Sequence, residues 1–202
     1  ALQLNLPTTP IHDLVVKDND LAVATHGRSF WILDDLSPLR QMSDAVAKAD
    51  VHLFTSAPAI RMRTGGGYGN STFQGDNPPN GVILYYFLKA AQKDEFTLEI
   101  LDAQNKVVRR FSSKEVVVEG RPLPERPVPD VKPELLPTAA GMHRFVWNFR
   151  YDMPDFVPGV IWDMGAPRGP LALPGKYTAR LNVAGKSYTA PIEVKLDPRV
   201  KT

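Results

Sequence analysis

The most constraining stretch is Gly175 to Leu196. Tyr177, Ala179, Leu181 and Val183 alternate with Thr178, Arg180 and Asn182. Further on, Tyr188, Ala190, Ile192, Val194 and Leu196 alternate with Thr189, Pro191, Glu193 and Lys195. Period-two alternation over two arms predicts a β-hairpin with one dry and one wet face. Ala184-Gly185-Lys186 supplies the turn, where glycine accepts positive φ without steric cost. Pro191 cannot donate to a ladder and therefore predicts an edge position. Such a hairpin needs a second sheet to cover its dry face, and the rest of the chain offers one.

Further strands are predicted on the same grounds. Val82–Leu88 is a nearly continuous apolar run. Phe96, Leu98 and Ile100 share a face in the next, followed by a turn at Ala103-Gln104-Asn105 and a strand over 106–111. Residues 143–151 put His143, Phe145, Trp147, Phe149 and Tyr151 on one side. With no helix among these strands, residues 82–202 predict an antiparallel β-sandwich of immunoglobulin-like type. Upstream, 11–16, 21–25 and 29–34 read as a three-stranded meander closing a first unit at 1–36, too small to be stable alone. Between them, 37–81 reads as a connector. It holds a helix over 37–47, with Ser37 as N-cap, Pro38 at the first helical position and Leu39, Met42 and Val46 on one face. A short strand at Val51-His52-Leu53-Phe54 and a Gly/Pro-rich linker follow.

Two resemblances accompany this reading. Thr25-His26-Gly27-Arg28 and Trp31-Ile32-Leu33-Asp34-Asp35, within the stretch 11–35, resemble the closing blade of bacterial BNR/sortilin-type β-propellers often labelled glycosyl hydrolases. The Asp-box of that family is absent. The stretches "LEILDAQNKVVRRF", "GMHRFVWNFRY" and "LPGKYTARLNVAGKSY" resemble FlgD-type and related Ig-like modules of large extracytoplasmic bacterial proteins. Together they imply a C-terminal, non-catalytic module of a larger periplasmic or secreted protein. The partner implied is the rest of that propeller or another protein, with polysaccharide as an alternative ligand if the module is a carbohydrate-binding one.

Composition removes other classes. A net charge of +2 gives no footprint for nucleic acid or a membrane surface. Zero cysteines exclude disulfides, thiolate nucleophiles and Cys-ligated metals. The apolar run at 82–88 is too short to span a bilayer, and Ala1–Pro7 carries no signal-peptide pattern. With 19 prolines and 14 glycines, turns and short strands are favoured over helices.

Candidate chemistry is sparse. The glycines at 65–69 lack the Lys-Ser/Thr and the leading strand of a phosphate loop. Asp18-Asn19-Asp20 lacks the further oxygen ligands of a calcium loop and predicts a hairpin turn. His12, Asp13, His26 and Arg28 form no three-ligand set, so no metal and no cofactor is expected. Glycoside hydrolysis needs two carboxylates flanking one bond, and nothing in the spacing pairs Asp34, Asp35, Asp152, Asp155 or Asp163 for that task. Arg121–Pro127 has the form of a polyproline ligand, yet prolines also stiffen a strand connector. Trp31, Trp147 and Trp162 raise sugar stacking as a role, and Trp147, on the aromatic face of a strand, reads as a core residue instead. Trp162, with Asp163 beside it in a Pro/Gly-rich stretch, and Tyr68 in the glycine loop are the ligand-binding candidates. No residue is predicted to be catalytic.

Overall fold

The computed structural model describes residues 4–62, 77–115, 134–153 and 168–200. Its elements run β1 (Ile11–Lys17), β2 (Asp20–Thr25), β3 (Phe30–Leu33), α1 (Ser37–Arg40), α2 (Asp44–Lys48), β4 (Val51–Leu53), β5 (Ala59–Arg61), β6 (Val82–Leu88), β7 (Thr97–Leu101), β8 (Val107–Ser112), β9 (Gly141–Trp147), β10 (Gly175–Val183) and β11 (Lys186–Leu196). They form three sheets: a meander β1-β2-β3, a five-stranded sheet β5-β11-β10-β7-β8 and a three-stranded sheet β4-β6-β9. The fold is all-β, as the alternation predicts, and the second and third sheets enclose the core.

The hairpin at 175–196 behaves as its pattern requires. Val183 pairs with Lys186, so the turn is the two-residue step Ala184-Gly185, at φ 48 and 73. Positive φ at both central positions marks a type I′ turn, whose twist matches that of the strands. Tyr177, Ala179, Leu181, Val183, Ala190, Ile192 and Val194 are all buried. Pro191 sits on the part of β11 that β5 does not reach, since β5 pairs only with Val194–Leu196, in parallel. The missing N–H therefore interrupts no ladder.

Opposite the hairpin, β6 buries Val82, Leu84, Tyr86 and Leu88 completely, and β9 contributes Phe145 and Trp147. Trp147 lies 5.3 Å from Tyr177 across the sandwich and 6.1 Å from Phe149, both edge-on, which is the favoured geometry for aromatic rings. Its indole N–H donates to the Arg150 carbonyl at 2.9 Å. The run at 82–88 lacks alternation because its other face is also covered. Tyr85 is buried there with Val46 of α2 and Phe54, against Ile83 and Phe87.

The connector departs from expectation. One helix over 37–47 is predicted; two short ones form, separated at 41–43. Gln41 turns its amide to the backbone of Thr55, donating to the carbonyl and accepting from the N–H, both at 2.9 Å. Ser43 is extended and accepts from the Val46 N–H, so it restarts the helix as a new N-cap. Ser37 makes no capping bond; residue 36 holds the cap position of α1. Consequently Leu39 and Met42 are exposed and only Val46 of the predicted face is buried. The same connector also supplies β4 and β5 to the two sandwich sheets.

Candidate interaction surface

The meander is the unusual part of the molecule. Register places Leu14, Val23 and Trp31 side by side, with Val16, Leu21 and Leu33 next to them on the same face. The opposite face carries Val15, Ala22 and Ile32, with Ala24 and Phe30 beyond. The first face is apolar, with Val23 buried, Leu21, Trp31 and Leu33 half-buried, and Leu14 and Val16 open; the second has an apolar, open centre bordered by Asp13, Lys17 and Asp20. Leu14 is 60% exposed, Val16 55%, Val15 54%, Ile32 65% and Phe30 79%. Isolated apolar side chains on a surface need no explanation, but contiguous ones on both sides of one sheet mark surfaces for association. Strands covered on both faces are the ones that carry apolar residues at successive positions.

The edges match the faces. Within the described residues β1 and β3 each pair only with β2, leaving the outer backbone groups of both without a strand partner. β3 is Phe-Trp-Ile-Leu, with no charged residue, proline or bulge to discourage strand addition. β1 is better protected, by a bulge between Ile11 and Asp13 and by Lys17 at its end.

Polar residues singled out in the sequence hold this unit in shape. Asp18 and Asn19 form the β1–β2 turn, with Asp18 at φ 53. Asn19 Nδ2 donates to Asp35 Oδ1 at 2.6 Å, and the Asp35 N–H donates to Asp20 Oδ1 at 3.0 Å. Arg40 Nη2 reaches the Asp18 carbonyl at 2.9 Å. Turn, strand end and α1 are thereby tied together. His12 and His26 stack with ring centroids 4.9 Å apart, and the Trp31 indole donates to the Arg28 carbonyl at 2.8 Å.

Asp34 meets the sandwich at this junction. Burial raises its carboxyl above the usual value, the nearby Asp20 and Asp35 add to the rise, and Arg144 of β9 opposes it. Arg144 lies directly across from Tyr85 on β6, and burial pushes the Tyr85 hydroxyl up. Attraction between Asp34, just after β3, and Arg144 thus runs between the end of the meander and the smaller sheet. Asp152 lies elsewhere, engaged with Arg109 at 3.4 Å.

Trp162, Asp163 and Tyr68, the ligand-binding candidates, lie outside the described residues, as do Asp155 and the proline-rich segment 121–127. Among the described residues no group of three or more His, Asp or Glu is placed to hold a metal ion. No described helix is long and apolar enough to cross a membrane. That the meander needs neighbours, the sandwich or another chain, is expected from its sequence; which of its side chains lie open is not. The signal lay in Leu14-Val15-Val16 and in Phe30-Trp31-Ile32-Leu33, runs without alternation in strands that would need cover on two sides. No family model, no curated protein and no solved structure matches this chain.

Proposed function

We propose that the chain is a non-catalytic interaction module in which the sandwich is a stable anchor and the meander is the part that engages a larger assembly. One observation carries this reading: a three-stranded sheet with large apolar side chains exposed on each face. Propeller blades are four-stranded sheets stacked against neighbours on each side, so a meander of this kind has the pattern of a blade lacking its fourth strand and its neighbours. With the likeness of residues 11–35 to a BNR/sortilin-type blade, the reading extends to a place at the C-terminus of such a propeller, in a periplasmic or secreted bacterial protein.

Analytical ultracentrifugation of the chain tests the reading without its parent. The free meander drives concentration-dependent self-association, and a Val15→Lys, Ile32→Lys double variant, charged on one face, weakens it while the sandwich stays folded. A chain that remains monomeric at all concentrations, or association indifferent to these charges, would count against the proposal. Hydrolysis of aryl-glycosides by the chain itself would overturn its non-catalytic part.

A further inference from the structure

A cleft of about 210 Å³ opens at the end of the sandwich between the start of β4, the residues after β6 and the β10–β11 turn. Its floor is the end of the core: Val51 and Val183 are buried, and Tyr188 packs partly buried against the same cluster. The rim is polar, with Lys89, Gln92 and Lys186. The walls come from both sheets and are fixed in place. The Lys89 N–H donates to the Asp50 carbonyl at 2.9 Å, and the Gln92 N–H to the Thr138 carbonyl at 2.8 Å. The opposite wall is the type I′ turn, which is rigid for its length.

Charge decides what fits. The Asp50 carboxylate is already matched by Lys89, at 3.3 Å. Among the described residues no carboxylate pairs with Lys186, so the rim keeps a net positive charge beside an apolar floor and one aromatic ring. Small-molecule sites usually run from about 300 Å³ upward, so this cleft takes a single ring rather than an extended chain. We infer that it binds one small ring bearing a carboxylate, with the ring against Tyr188, the carboxylate toward Lys186, and the amide oxygen of Gln92, whose Nε2 donates to the Ala90 carbonyl at 3.0 Å, left for a further polar group. A sugar acid and an aromatic acid share that chemistry. The inference is independent of the role proposed for the meander.

The test is an amide-resolved NMR titration of the chain with glucuronate, benzoate and glucose at fixed ionic strength. Residues 89–92 and 183–188 shift with one or both carboxylates and not with glucose. Glucuronate alone identifies the sugar acid, benzoate alone the aromatic acid. Lys186→Glu, at an exposed side chain at the start of β11, weakens binding about tenfold, the scale of one charge-assisted contact. Equal shifts with glucose, no shift with either carboxylate, or binding unchanged in Lys186→Glu would each overturn the assignment.

Discussion

Arg180 and Glu99 face each other across β10 and β7 on the outer side of the five-stranded sheet, with Arg180 Nε 2.9 Å and Nη2 2.8 Å from Glu99 Oε2. The Glu99 side chain is only 10% exposed, and Asn182 Nδ2 adds a third donor to the same oxygen at 3.1 Å. Removing the arginine leaves a nearly buried carboxylate with only Asn182 and the more distant Arg110, at 4.0 Å, a loss of about 1–3 kcal/mol. Replacing both residues by apolar ones of similar size removes the orphaned charge as well. Urea denaturation of Arg180→Leu and of Arg180→Leu/Glu99→Leu checks this. The double variant is expected to be the more stable of the two, and the reverse order would show that the carboxylate is satisfied without Arg180.

Ala184 occupies the first left-handed position of the hairpin turn, at φ 48, where a side chain with a Cβ is strained. Asparagine tolerates this conformation and precedes glycine in the favoured type I′ sequence. Ala184→Asn is therefore expected to stabilise the chain by up to about 1 kcal/mol, read as a raised denaturation midpoint with an unchanged slope.

Asp34 makes a pH-dependent prediction. Burial, then Asp20 and Asp35, raise its folded carboxyl above the unfolded value of 3.8, so the native state holds this proton more tightly than the unfolded chain. The ionised carboxylate thus opposes folding at neutral pH, and that penalty disappears as pH falls through the raised value. Asp34→Asn should be more stable than the parent at pH 7, with the difference closing below pH 3.8. Loss of stability at neutral pH would mean instead that attraction to Arg144 dominates.

Much of the sandwich was legible in the sequence because its strands alternate. The dry positions of 177–183, and Phe145, Trp147 and Phe149, are buried as their spacing predicts. Phe149 reaches the core although the strand ends at Trp147 and its own φ is 58, since an aromatic ring can be buried from a turn as well as from a strand. The split between α1 and α2 was less legible, because it depends on Gln41 meeting Thr55, a contact no helical periodicity encodes. Glu99 reads as a wet residue of an alternating strand. It is buried because β7 lies inside the sheet, where long neighbours such as Arg180 fold over it. β5 was not legible at all: three residues, Ala59-Ile60-Arg61, join β11 in parallel far along the chain, and so short a strand carries no period.

The meander bears the central claim, and hydrogen exchange measures it most directly. Large apolar side chains are exposed on each face of its three strands, and among the described residues neither outer edge has a strand partner, so local opening costs little in the isolated chain. The amides of β1–β3 should exchange rapidly there while those of β7, β10 and the paired part of β11 stay protected. In the longer propeller protein from which we propose the chain derives, the same β1–β3 amides should become protected to the level of the sandwich. Rapid exchange of these strands in both proteins, or full protection already in the isolated chain, would contradict the account.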